Sequence, residues 1–250
     1  MQHPLVTHFF DEPTNTFSYI VQDPDSFACA IIDSVLDFDY AAGRTDVRSA
    51  DKIIEYVQSN DLSVEWVLET HVHADHLSAA PYLHERLGGK TGIGEKIAVV
   101  QEVFGKAFNA GTDFARDGSQ FARLFRDGDG CQVGNLNVRV LHTPGHTPAC
   151  LTYVIGDAAF VGDTLFAPDA GTARCDFPGG DAHTLYHSIQ KVLALPGETR
   201  VFLCHDYKAA GRDEFIHETT VAEQRSSNIH VGNDISEDEF VVFRSERDAR

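Results

Sequence analysis

The chain has 250 residues, with 20 Lys+Arg against 38 Asp+Glu and a formal net charge of −18. That balance repels phosphate backbones and excludes nucleic acid as a natural partner. With 42% apolar and 10% aromatic residues there is material for a sizeable core, yet no apolar run is long enough to span a bilayer. The start, "MQHPLVTHFFDEPTNT", has neither a basic n-region with an apolar stretch nor Arg enrichment, so neither a signal nor a transit peptide is expected. The five cysteines (Cys29, Cys131, Cys150, Cys175, Cys204) are odd in number and widely spaced, which points to free thiols and a cytoplasmic setting.

In chain order, "FSYIVQ" and "FACAIID" read as strands joined by the turn "DPDS". "SADKIIEYVQSN" has helical apolar spacing behind a Ser49 cap. "VEWVLET" reads as a buried strand, followed by helices over "SAAPYLHERLGG", with Pro81 in its first turns, and "EKIAVVQEVFGKAFN". The polar, Gly- and Asp-rich stretch 110–130 is expected to be a loop. The pattern then restarts with strands over "NVRVLHTP", "CLTYVIG" and "AAFVGDTLF", a helix "DAHTLYHSIQKVLAL" capped by Asp181, and a strand "RVFLCHDY". The tail segments "DEFIHETTVAEQRSSNIH" and "SEDEFVVFRSERDAR" are expected to be helical. Two β-rich halves covered by helices give an α/β fold in layers, read as a single domain over 1–250.

Four separated places share one feature: an apolar strand ends and a metal-competent side chain follows. They are "VLETHVHADH" with His71, His73, Asp75 and His76, "VRVLHTPGH" with His146, "AAFVGD" with Asp163, and "RVFLCHD" with His205. Loops at strand ends are where a rigid sheet presents reactive groups. Two-residue spacing would put the rings of His71 and His73 on one side of an extended backbone. Imidazoles and carboxylates together suit zinc, iron or manganese, as one ion or two. Gly145 and Gly162 permit close backbone approach and Pro144 stiffens its loop. The other histidines are assigned to surface or core, and Cys29, Cys150 and Cys204 to core filling, Cys204 because strand neighbours face opposite ways.

"THVHADH", "HTPGHT", "FVGDTLF" and "CHDY", in that order, resemble the metallo-β-lactamase fold superfamily over most of the chain. "GTARCDFPGGDAHTLYHSI", with "CHDY", is similar to its persulfide dioxygenase branch. The resemblance implies an αβ/βα four-layer sandwich and one ferrous iron, Fe(II), per chain, held by His71, His146 and Asp163. It leaves His73, Asp75, His76 and His205 as a surrounding shell or as ligands of a second metal. The implied reaction turns glutathione persulfide, dioxygen and water into sulfite and glutathione, the chemistry of sulfide detoxification. Asp75 would relay protons, Arg174 would anchor a glutathione carboxylate or pair with Asp176, and Tyr207 would donate a hydrogen bond to substrate or oxygen. A rhodanese is the expected persulfide supplier and a homodimer the expected assembly. Cys175 stands where a small residue is expected, and Thr172 where animal and plant members carry a cysteine.

The first rival is a two-zinc glutathione thioester hydrolase of the glyoxalase II type, using all seven metal-site positions. It usually carries a further basic helical domain, whereas only 45 residues follow His205 and they hold no lysine cluster. The second is a metal-bearing sulfur carrier that docks a sulfurtransferase, which a complete ligand set disfavours.

Overall fold

In the computed structural model, which describes residues 3–249, the first half of the chain lays down β1 (Leu5–Asp11), β2 (Thr16–Gln22), β3 (Ala28–Ile32), β4 (Val35–Asp39), β5 (Arg44–Asp46) and α1 (Arg48–Ser59). It continues with β6 (Ser63–Leu68), β7 (Leu77–Ser78), α2 (Ala80–Leu87), β8 (Lys90–Gly94), α3 (Ile97–Ala107) and β9 (Arg123–Phe125). The second half runs β10 (Gly130–Val133), β11 (Leu136–His142), β12 (Leu151–Ile155), β13 (Ala158–Phe160), α4 (Ala182–Leu193), β14 (Arg200–Phe202), β15 (Glu218–Thr220), α5 (Val221–Ser227) and α6 (Glu237–Asp248). Each half makes a six-stranded sheet, ordered β1-β2-β3-β6-β8-β9 and β10-β11-β12-β13-β14-β15, and β5-β4-β7 form a small third sheet.

Strand alternation decides the layering. Phe17, Tyr19 and Val21 of β2, Ala30 and Ile32 of β3, and Trp66 and Leu68 of β6 point inward. They meet Val138, Val140, Leu151, Tyr153, Ile155, Phe160 and Phe202 of the second sheet. The intervening residues Ile20, Ile31 and Val67 face outward onto Ala50, Ile53 and Val57 of α1 and Leu83 of α2. Val154, Ala159 and Val201 face outward onto Leu185, Ile189 and Val192 of α4 and Phe240 of α6. Helix, sheet, sheet, helix is the expected four-layer sandwich. The β3–β6 pairing is parallel, so a crossover is required, and α1 provides it.

Several sequence expectations need correcting. Ser49 does not cap α1: the N-cap is Val47, without a side-chain bond. Instead Ser49 Oγ donates to Asp37 and Asp11 (2.9 and 3.1 Å), because acidic partners across the fold outcompete the local cap. The stretch 110–130 contains β9, a three-residue edge strand pairing in parallel with β8. The strand expected over 158–166 stops at Phe160, and Gly162–Thr164 turn as a 3-10 helix. "RVFLCHDY" is strand only to Phe202. The segment 213–230 splits into edge strand β15 and the short helix α5, because Glu218–Thr220 pair with β14. Asp181 does cap α4, accepting from Thr184 N at 2.8 Å, and Ser236 opens α6 with a capping box. No helix among the described residues is long and apolar enough to cross a membrane.

Away from the strand ends, two histidines are held neutral. His230 Nδ1 accepts the Thr172 N–H at 2.9 Å, and burial, then Arg244 and Arg247, bring its ring down to about 4. His217 stacks on His8 at 3.8 Å, and burial, then His8, lower it to about 4. Both bind a proton near pH 6.5 when unfolded, so their contribution is present above that pH and lost as pH falls towards 4. The urea midpoint of metal-free protein should therefore drop between pH 7 and pH 4.5, and His230→Asn should shrink that drop. A midpoint flat over the interval would contradict this assignment.

Candidate metal centre

All four strand ends of interest open on one edge of the sandwich. β6 ends at Leu68, and Glu69, Thr70 and His71 follow in irregular backbone. The 71–76 stretch is a series of bends rather than extended chain, yet it brings the His71 and His73 ring centroids to 4.2 Å, tilted by 53°, and stacks His73 on His76. Gly162 (φ 51°) precedes Asp163, and a Cβ there would stand 2.5 Å from Thr70 Oγ1. Gly145 (φ 133°) precedes His146, and a Cβ there would meet the Leu185 backbone at 2.4 Å. Both positions need glycine for conformation and for space.

Every one of the five histidines has one ring nitrogen tied back into the protein, which fixes its tautomer. Thr70 Oγ1 donates to Asp33 Oδ2 at 2.8 Å, so it accepts from His71 Nδ1–H at 2.9 Å. His73 Nε2–H donates to Glu69 Oε2 (3.1 Å) and Asp33 Oδ1 (3.3 Å), since carboxylates only accept. His76 Nδ1–H donates to the Leu77 carbonyl at 3.0 Å. His146 Nδ1–H donates to the Arg174 carbonyl at 2.7 Å. Thr16 Oγ1 gives its proton to the Thr14 carbonyl and accepts from His205 Nδ1–H at 3.2 Å.

The second nitrogens of His71, His76, His146 and His205 are left as lone pairs that converge; at His73 burial opposes the proton, but Asp33, Cys204 and Glu69 hold the ring well above the usual value. His146 Nε2 and His71 Nε2 stand 3.4 and 3.8 Å from Asp163 Oδ2. His205 Nε2 stands 3.3 Å from Asp163 Oδ1 and 3.6 Å from Asp75 Oδ2. His73 Nδ1, His76 Nε2, His205 Nε2, Asp75 Oδ2 and Asp163 Oδ1 are buried with no hydrogen-bond partner. Neutral imidazole lone pairs facing carboxylate lone pairs in a dry site repel, and each orphaned group costs about 1–3 kcal/mol. A cation among them removes both problems, so the donor set fits a metal. Burial, then the neighbouring histidines, hold His71 well below the usual value. Burial also dominates at His76, bringing it to about 4, so both rings are neutral and ready to ligate.

Of four groupings of candidate ligand atoms among the described residues, two hold the predicted donors alone. The ligand atoms of His71, His146 and Asp163 lie within 4.8 Å of one another, and so do those of His73, Asp75 and His76. All seven predicted side chains are therefore brought together, with the Asp163 carboxylate between the groupings. The Arg174 side chain is exposed and pairs with Asp176, with Nε–Oδ1 at 2.5 Å. What Arg174 gives the centre is its backbone carbonyl. Tyr207 stacks on His205 with centroids 5.7 Å apart and is 55% exposed.

Sequence reasoning missed the supports. Asp33 follows an apolar strand just as Asp163 does, and with φ 51° it receives the Thr70 N–H (2.7 Å), the Thr70 hydroxyl and His73. Burial alone would raise the Asp33 carboxyl, but His73 and Thr70 hold it below the usual range. At Glu69 burial wins and the carboxyl is raised. The assignment of Cys204 as core filler also needs correcting. The strand has ended by then, so alternation no longer applies, and Cys204 Sγ lies 3.7 Å from Asp33 Oδ2, grouped with His73 and His205. Cys175 donates its thiol to Asp248 at 3.2 Å, and burial, then Asp248, push it up to about 12. It is no nucleophile. Thr172 faces His230 instead of the metal donors.

A cleft of about 840 Å³ opens over Asp75, His146 and Asp163. Its walls carry Arg174, Lys208, Arg244 and Arg247 alongside Asp75, Asp163, Asp169 and Asp248, so cations match carboxylates there on a chain of net charge −18.

The metallo-beta-lactamase superfamily model matches residues 11–205. The chain is 55% identical to a "probable metallo-hydrolase" of Burkholderia pseudomallei, covering 98% of this chain and 86% of that one. It is 50% identical to "Glyoxylase B2" of Dictyostelium discoideum (94% and 80% covered). It is 30% identical to the mitochondrial persulfide dioxygenase ETHE1 of Bos taurus (90% and 74%). The crystal structure of ETHE1 from Myxococcus xanthus superposes with a TM-score of 0.75 at 31% identity, covering 97% of this chain and 91% of that one. The strand-end donors, the four layers and these matches agree: the chain belongs to the metallo-beta-lactamase superfamily.

Proposed function

We propose that the protein is a persulfide dioxygenase using one iron per chain. The observation that carries this reading is the separate convergence of His71, His146 and Asp163. Two histidines and one carboxylate form the ligand set of non-haem iron oxygenases, with positions left open for two guests. The likeness to ETHE1 supports it. A bound ferrous ion would supply the redox change that zinc lacks.

The chain's own residues then bind and manage protons. Arg174, Lys208 and Arg247 are exposed cations of the cleft, placed to pair with the carboxylates of a thiol carrier such as glutathione. The reaction releases two protons for each persulfide oxidised. Asp75 Oδ2 and His205 Nε2, unpartnered and 3.6 Å apart, are placed to receive them. Asp33 and Glu69 fix the His73 ring, and the Arg174 carbonyl fixes His146.

A second reading has its own observation. The two oxygens of Asp163 face opposite ways, Oδ2 to His71 and His146 and Oδ1 to His205, as a carboxylate bridging two ions does. With the His73, Asp75 and His76 grouping this suits a two-zinc thioester hydrolase, the activity class that the name "Glyoxylase B2" suggests.

Metal analysis beside oxygen uptake separates the two. The dioxygenase reading expects about one iron per chain and oxygen consumption with glutathione persulfide; two zincs with thioester cleavage and no oxygen use would replace it. Asp163→Ala should lose metal and activity together, while His205→Ala keeps most of the iron. Equal iron loss in both variants would favour the bridged pair. Asp33→Asn should lower metal affinity or turnover about 10- to 100-fold without touching a ligand; wild-type values would deny Asp33 its positioning role.

A further inference from the structure

We propose that the site takes persulfides of apolar thiols, with an unbranched aliphatic arm seated in a second pocket behind His146. This rests on the dioxygenase reading and names a substrate class for it. The pocket has a volume of about 350 Å³ and opens on His73 and His146 at its inner end. It shares Ala74, His146 and Phe177 with the charged cleft over Asp163, so the two cavities meet at the metal donors. The Phe177 ring is the partition: its centroid lies 5.1 Å from that of His146 and 5.4 Å from the Arg174 guanidinium carbon.

The lining says what the pocket can hold. Ile97, Val100, Phe104, Phe114 and Pro178 make up its walls with Phe177. Beyond His73 and His146 at the inner end, its polar side chains are already engaged. Gln101 accepts from Gly118 N and donates to Gln120, both at 2.9 Å. Thr147 Oγ1 contacts Cys150 Sγ at 3.1 Å and accepts from Ala149 N. A polar guest would lose its water bonds and find no replacements, so only an apolar one gains. Dioxygen alone does not account for the space, because a water-sized guest occupies about 30 Å³, whereas about 300 Å³ is where small-molecule pockets begin. The mouth continues the apolar path through Phe114 and the exposed Phe108. A chain entering there brings its terminal sulfur to the His146 end.

The reaction is RSSH + O₂ + H₂O → RSH + SO₃²⁻ + 2H⁺. The S–S bond breaks, the two sulfur atoms together give four electrons to dioxygen, water supplies the third oxygen, and two protons leave.

The test is a series of n-alkyl hydropersulfides from ethyl to octyl, followed by oxygen uptake on iron-loaded protein. Each added methylene should raise kcat/KM about three- to fourfold until the pocket is full, with kcat nearly constant. Val100→Trp, which fills the pocket, should flatten the series and leave glutathione persulfide turnover unchanged. Phe114→Ser, at a partly exposed position, should reduce the slope if the tryptophan variant fails to fold. A flat wild-type series, or an equally steep one in a folded pocket variant, overturns the proposal. So does a dimer that buries Phe108 and Phe114, with alkyl selectivity absent. Calorimetric binding of n-hexanethiol separates this proposal from the reaction class. If no persulfide consumes oxygen but the thiol binds and Val100→Trp weakens it at least tenfold, the reaction assignment fails and the pocket stands. If glutathione persulfide is oxidised but chain length has no effect, the reaction assignment stands and the pocket proposal fails.

Discussion

The centre depends on one buried carboxylate standing behind the donors. Asp33 sits at the end of β3, in left-handed backbone, and gathers the Thr70 N–H, the Thr70 hydroxyl and the His73 ring. Because Thr70 spends its proton on Asp33, its oxygen must accept from His71, and the free nitrogen of His71 must be Nε2. One acidic side chain thus sets the tautomer of two histidines, one directly and one through a hydroxyl. The Arg174 carbonyl and Thr16 do the same for His146 and His205. Lone pairs are thereby aimed at one volume before any ion arrives, and ligand reorganisation on binding is small.

The donors were legible because their chemistry is unusual where it stands. Four apolar strands each ending in His or Asp is a pattern that core packing does not require. The supports were illegible because Thr16, Asp33, Glu69 and Thr70 are ordinary residues whose role comes from distant partners; Thr16 meets His205 across 189 positions. The same reason explains Ser49, a plausible cap on local grounds that Asp37 and Asp11 draw away. Alternation foretold the layers because burial enforces it over whole strands. It misplaced Cys204 because the strand had ended two residues earlier, at Phe202. Strands β9 and β15, of three residues each, are too short to show a period and take their conformation from β8 and β14.

The surroundings divide the work by polarity. Arg174, Lys208, Arg244 and Arg247 collect in one cleft beside the donors, matched there by Asp75, Asp163, Asp169 and Asp248. Opposite them, across Phe177, the apolar pocket has no unsatisfied amide or hydroxyl. A guest between these walls would meet apolar surface on one side and charged side chains on the other.

The proposed chemistry requires one cation seated by three particular side chains. Diffraction from iron-loaded crystals, recorded on both sides of the iron absorption edge, tests this requirement. A single anomalous peak is expected within bonding distance of His71 Nε2, His146 Nε2 and Asp163 Oδ2. Two peaks sharing the Asp163 carboxylate, or one peak among His73, Asp75 and His76, would be incompatible with a mononuclear dioxygenase centre at those three residues.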